Sequence, residues 1–132
     1  MFVDRMVNGS NAPLLEQVVQ FAAARHKLIA EDIANVDTPG FRQKDLSVDR
    51  FQEMLRERVG KRSAGEEWRR FEDIGREVEN PERGILFHDG NNRSMERLVS
   101  DLAKNAMMHN LAIELLRKQY MTMEMALKER VG

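Results

Sequence analysis

The sequence predicts a mainly α fold: long N- and C-terminal helices forming an antiparallel, coiled-coil-like pair, with a short irregular, partly helical charged insertion between them. Three observations predict it. Apolar residues recur at three- and four-residue spacings towards both ends of the chain. The second of these runs continues from 94 to 131 without a Pro or a Gly. Between them, from 56 to 83, more than half of the residues are charged, so no comparable apolar stripe exists there. The organisation read from this is one structural domain. It comprises a flexible N-terminus (1–10), an N-terminal helix (11–36), a turn, short helix and charged insertion (37–89), and a second turn leading into the long C-terminal helix (90–132).

The N-terminal helix is expected to start at Asn11 or Ala12, because Pro13 suits a first turn, where its missing amide costs nothing. Leu15, Val18, Ala22, Ile29, Ile33 and Val36 form its seam, with Leu14, Phe21 and Leu28 as a second stripe beside it. Arg25 and His26 interrupt the pattern. The helix does not continue into Pro39, whose ring also pushes Thr38 towards extended geometry. Pro39-Gly40 fits the two central positions of a type II turn, the second of which needs positive φ. Phe41 is then placed to anchor the departing chain.

Residues 41–48 read as extended. Asp49 with Gln52 is a capping-box pattern, opening a short helix that carries Phe51, Met54, Leu55 and Val59 and stops at Gly60. The charged stretch that follows reads as an exposed, loosely packed insertion. Within it Trp68, Phe71, Ile74 and Val78 have helical spacing. Ile85-Leu86-Phe87 reads as a short strand or docking segment, and residues 88–92 as a turn. Ser94 caps the last helix, with Glu96 complementing its N-terminus. Its seam is a sustained heptad: Met95, Val99, Leu102, Ala106, His109, Ile113, Leu116, Tyr120, Met123 and Leu127. At 1.5 Å per residue the helix is ~55 Å long against ~37 Å for its partner. A second stripe (Leu98, Met108, Ala112, Leu115, Ala126) lies beside the seam, widened by Leu111 and Met125. One partner helix covers one stripe, and each large side chain left uncovered forgoes roughly 1.5–3 kcal/mol. The pair alone is underburied, which points to packing between molecules.

Composition excludes several function classes. The 132 residues carry a net charge of −1, so there is no basic field for nucleic acid or an anionic membrane. Acids neutralise the short basic clusters Lys61-Arg62 and Arg69-Arg70. There is no cysteine, hence no disulfide and no thiolate chemistry. Nothing resembles a cleaved secretory signal, and no apolar run approaches the ~20 residues of a membrane span. The histidines (His26, His88, His109) fit no metal-ligand spacing, and no phosphate loop or nucleophile motif occurs. His109 on the seam reads as a register-setting polar residue, His88 as a surface residue. No catalytic, cofactor-binding or metal-binding residue is expected, and neither an enzyme nor a small-molecule binder.

The stretch 29–41, with Ala34, Asn35, Thr38, Pro39, Gly40 and Phe41, resembles the N-terminal signature of the flagellar rod and hook protein family: a helix ending in Ala-Asn, then Thr-Pro-Gly and an aromatic. Glu31-Asp32 departs from that pattern, where an asparagine is common. The short length, Lys44-Asp45-Leu46 after the turn and Asp89-Gly90-Asn91-Asn92 before the last helix make the chain most similar to the most proximal members. The resemblance covers 12–55 and 88–130 and leaves out the charged middle. It implies a structural subunit of the flagellar basal-body rod, exported through the flagellar type III apparatus without a cleaved signal and assembled in the periplasm. It also implies that the subunit helps to build the torque-transmitting shaft. Implied partners are copies of itself, other rod subunits, and basal-body adaptor and export-gate components at the rod base. The signature turn and the seam positions Leu15, Val18, Ala22, Ile29, Ile33, Val99, Leu102, Ala106, Ile113, Leu116, Tyr120, Met123 and Leu127 are the expected assembly residues. The alternative is a cytoplasmic coiled-coil adaptor or flagellar export chaperone, which uses the same stripes to hold a client helix and needs no Thr-Pro-Gly turn.

Overall fold

A computed structural model describes residues 10–63, 74, 76–78, 86–88 and 93–131. Its elements are α1 (Ala12–Ala34), β1 (Lys44–Leu46), α2 (Val48–Ser63), β2 (Leu86–His88) and α3 (Met95–Val131). The expected mainly α fold with two long terminal helices is present: α1 and α3 pack along each other, and the described elements between them are shorter.

Helix α1 begins with Pro in its first turn, and the Ser10 hydroxyl accepts the Ala12 amide at 3.1 Å. It ends at Ala34, two residues before the expected Val36. The side chain of Asn35 explains the early stop. Its amide donates to the Glu31 carbonyl at 2.9 Å, occupying an acceptor at the helix end. Thr38 then donates through its backbone to the Asn35 carbonyl (3.0 Å) and through its hydroxyl to Asn35 Oδ1 (3.3 Å). The Phe41 amide closes on the Thr38 carbonyl at 3.2 Å around Pro39 and Gly40, with Gly40 at φ 76°. This is the expected type II turn.

The chain returns along α1 as β1 and enters α2. The cap of α2 is Ser47, not the expected Asp49 box: Ser47 Oγ accepts the Arg50 amide at 3.1 Å, three residues on. Asp49 instead lies in the first turn, where a negative charge suits the helix dipole. Nor does Gly60 stop the helix, which runs on to Ser63. Glycine in a helix interior costs about 1 kcal/mol relative to alanine, too little to end a helix by itself. The Lys61–Glu57 ion pair (3.0 Å) also spans that turn.

The two sides of α1 have different partners. Phe21 belongs to a core with Leu46, Phe51, Met54, Ile74 and Val78, against which Leu14, Val18 and Leu28 also pack. The stripe of Leu14, Phe21 and Leu28 is therefore covered by β1 and α2, not by α3. The Phe21 and Phe51 rings stack with centroids 4.0 Å apart and planes within 9°. Ile74 and Val78 correct the picture of a wholly loose, exposed insertion. Both are buried, and residues 74 and 76–78 are helical, since apolar side chains inside a charged segment gain most by joining the nearest core. Trp68, Phe71 and the turn at 89–92 lie outside the described residues, as do residues 1–9. The expected short strand is β2, antiparallel to β1 with Lys44 opposite His88 and Leu46 opposite Leu86.

At the start of α3, Ser94 Oγ accepts the Arg97 amide at 3.3 Å, as a cap should. The helix outruns α1 by about 20 Å at its C-terminal end.

The turn yields a direct expectation. No atom lies within 4 Å of a Cβ built on Gly40, so a larger residue there meets only backbone strain at positive φ. Gly40→Ala should cost about 1–2 kcal/mol in urea unfolding. An unchanged midpoint would show that this backbone conformation is not required.

Candidate functional site

Three features of the helix pair bear on function: a buried charge cluster at one end, a cleft along its seam, and apolar surface on α3 that α1 does not reach.

The cluster is centred on Arg93, which lies just ahead of α3. Its guanidinium donates to Asp45 (3.0 Å) and Asp101 (3.0 Å) through one nitrogen and to Asp32 (3.2 Å) through another. Arg25 makes a fork to both oxygens of Asp45, at 2.9 and 3.1 Å. The backbone joins in. Gln43 accepts the Arg93 amide (2.8 Å) and donates to the Arg93 carbonyl (3.1 Å), while Asp32 accepts the Lys44 amide (3.1 Å). Asp32, Gln43, Asp45 and Arg93 are all buried. Burial alone would lower the affinity of Arg93 for its proton, but the carboxylates of Asp45 and Asp101 outweigh it and raise the pKa. Burial raises the Asp32 carboxyl above its ordinary value, opposed by the Lys44 amide and by Arg93. The cluster joins α1, β1 and the start of α3, and so fixes where the two helices start to run together.

Along the seam, the line of α3 that faces α1 slides by one residue at alternate positions relative to the expected heptad. Leu102, Leu116 and Met123 lie on it as expected, but its fully buried members beside Met123 are Leu98, Asn105 and Ala112. Val99 is 50% exposed and Tyr120 42%, while Ala106, Ile113 and Leu127 are half-buried. On α1, Ala22 and Ile29 are buried and Leu15, Val18 and Ile33 half-buried. A polar contact sets the rotation: Asn105 Nδ2 donates to the Ala22 carbonyl at 2.7 Å. Sequence spacing missed it because Asn105 reads as an ordinary polar position beside Ala106. The same Asn105 side chain leaves Oδ1 buried with no hydrogen-bond partner. Asn105 lines a cleft of about 420 Å³ together with Ala22, Ala23, His26, Ala106 and His109.

Much of the rest of α3 is apolar and uncovered: Met107 is 72% exposed, Leu111 62% and Met125 61%. The hydroxyl of Tyr120 donates to Glu16 of α1, and that bond pushes its pKa up to about 12. Of the signature residues, Ala34, Thr38, Pro39 and Gly40 are exposed and Asn35 and Phe41 half-buried. Among the described residues no group of His, Asp and Glu side chains is placed to hold a metal ion, and no helix is long and apolar enough to cross a membrane.

This geometry belongs to a chain with two curated relatives of the same name. Flagellar basal body rod protein FlgB of Aquifex aeolicus (strain VF5) is 25% identical over 117 residues, covering 89% of this chain and 92% of that protein. FlgB of Borrelia hermsii is 25% identical over 126 residues, covering 87% and 93%. No family model and no solved structure matches. The likeness to these two relatives covers nearly the whole chain and so extends well beyond the signature turn.

The charge cluster generates two expectations. Arg93→Met strands buried carboxylates and should cost about 3–5 kcal/mol in urea unfolding; a loss below 1 kcal/mol would show that the cluster is dispensable. The second concerns pH. Because its folded-state pKa is raised, Asp32 contributes most stability below the ordinary carboxylate pKa, and that contribution is lost as pH rises through the folded value. Measured against Asp32→Asn, the wild type should lose relative stability as pH climbs from ~4 towards ~7. A difference that does not change with pH would contradict this.

Proposed function

We propose that this chain, a relative of the flagellar rod protein FlgB, is a structural subunit of the bacterial flagellar basal-body rod, built into the shaft through its terminal helices. The observation that carries the reading is the surface of α3. Met107, Leu111, Met121 and Met125 are each more than half exposed on a helix that already has its own partner. A monomer gains nothing from such a surface, whereas neighbours that cover it gain roughly 1.5–3 kcal/mol for each large side chain buried. Methionine suits contacts that differ from one neighbour to the next, because its flexible thioether fills irregular gaps.

The finer reading is a position at the proximal end of the rod, among copies of itself, other rod subunits and the adaptor and export-gate components at the rod base. Export without a cleaved signal belongs to the same reading. The work done is mechanical. A shaft that carries torque loads many small packing contacts in parallel, so the residues that matter are seam positions and the turn that ends α1, not a catalytic group.

The test is an in-frame deletion in the native host, with purified basal bodies viewed by electron microscopy. Rods should be missing while membrane rings remain, and the wild-type gene should restore them. Val99→Glu, on an exposed seam position, should leave a folded and expressed protein yet fail to restore rods. Intact rods and normal swimming in the deletion strain would overturn the proposal in favour of an adaptor or chaperone.

A further inference from the structure

The chain has no cysteine, so its nine methionines supply all of its oxidisable sulfur. Their surroundings divide them. Met54, in the small core beside α1, is 8% exposed, and Met123, on the seam, 6%. Met107, Met121 and Met125 are each more than half exposed. Met95 and Met108 lie between these extremes, and Met1 and Met6 lie outside the described residues. An oxidant in water reaches an exposed sulfur directly, whereas a buried one reacts only when its surroundings open.

The three exposed sulfurs share one face. Asn105, bonded to the Ala22 carbonyl, marks the side of α3 that meets α1. At about 100° per residue, Met107 and Met125 lie about 200° round the helix from Asn105, and Met121 about 160°. All three are therefore within about 20° of the line opposite α1. Between Met107 and Met125 the one other residue this close to the line is the charged Glu114. The apolar character of this outermost strip is that of its thioethers.

We infer that Met107, Met121 and Met125 form a site of reversible oxidation by peroxide on the unassembled chain, and that their sulfoxides close the outer strip of α3 to neighbours. Peroxide transfers one oxygen atom to the sulfur lone pair. The O–O bond breaks, the S–O bond forms and water leaves; the sulfur gives up two electrons and the peroxide takes them. The product is a polar sulfoxide, and a neighbour that covers it strips its water without supplying a hydrogen bond. Because the strip lies opposite α1, the helix pair and its buried polar contacts stay intact. Sulfoxide reductases return the thioether. A subunit whose strip is already covered is out of the oxidant's reach, so the switch acts on free chains. The effect on assembly rests on the rod-subunit reading; the pattern of oxidation does not.

Peptide mass spectrometry of the folded, full-length protein after graded hydrogen peroxide treatment reads the site directly. Met107, Met121 and Met125 should convert at least about tenfold faster than Met54 and Met123, with helical circular dichroism unchanged. Uniform conversion, or loss of helix in step with it, would overturn the inference. The effect on assembly is read in the deletion strain, by counting basal bodies with new rods after the complementing gene is induced with or without hydrogen peroxide. Peroxide should cut the wild-type count about tenfold, the effect of one poorly solvated polar group per contact. A chain carrying Met107→Leu, Met121→Leu and Met125→Leu together, apolar but not oxidisable, should be unaffected. An equal fall in both would overturn the switch. The same three positions changed to Gln, polar like the sulfoxide, need no oxidant: that chain should fold yet build about a tenth as many rods, or fewer. Normal rods from it would also overturn the switch. Intact rods in the uncomplemented deletion strain would strike the rod-subunit reading itself, and the mass spectrum would still decide the oxidation site.

Discussion

Arg93 holds the helix pair in one arrangement. Its guanidinium reaches carboxylates from α1, from β1 and from the first turns of α3, while its backbone is held at both polar groups by Gln43. Two long amphipathic helices packed through small and mid-sized residues can slide by a heptad at modest cost, because each new register presents similar apolar contacts. A buried charge cannot slide in that way. Moving Arg93 by one turn would separate it from Asp32 and Asp45 and break two buried ion pairs, a larger loss than a change in apolar packing. Asn105, bonded to Ala22, pins the rotation further along the pair. Register comes from the polar groups, and adhesion from the apolar ones.

This division explains how α1 works with so few aromatics. One side gives Phe21 to a small core shared with Phe51, Leu46 and Ile74. The other gives Ala22 and Ile29 to α3. The first contact fixes the returning chain, and the second builds the shaft-like pair. The signature turn serves both: Asn35 and Thr38 end the helix with side-chain bonds, and Gly40 redirects the chain so that Gln43 and Asp45 arrive at the charge cluster. A turn that is weak as a motif in isolation acquires meaning from where it delivers the next residues.

How much of this the sequence disclosed follows from the range of each interaction. The two helices, the turn with its positive-φ glycine, the Ser94 cap and the short strand after the insertion were all legible, because spacing and local backbone chemistry determine them. The extent of α2 was not, since Gly60 weakens a helix without ending it. The buried roles of Ile74 and Val78 were hidden because their charged neighbours dominate the local composition. The charge cluster was least legible of all. Asp32, Asp45, Arg93 and Asp101 come from four separate places in a chain where a third of the residues are charged, and nothing local distinguishes them. The seam was legible to within one residue of rotation. The remaining error lay at Asn105, where a single side-chain bond to Ala22 outweighs the nominal heptad.

The short ladder between β1 and β2 has a consequence for how such chains can diversify. Lys44 opposite His88 and Leu46 opposite Leu86 bring the two ends of the intervening segment together at a neck. Once a neck is closed, lengthening the segment beyond it adds little closure entropy, each doubling costing only about 0.6 kcal/mol. The segment between the strands is anchored by Phe51, Met54, Ile74 and Val78, which share a core with Phe21 of α1. With those four residues kept, its length can change at little cost while Arg93 and Asn105 keep the inner helices aligned.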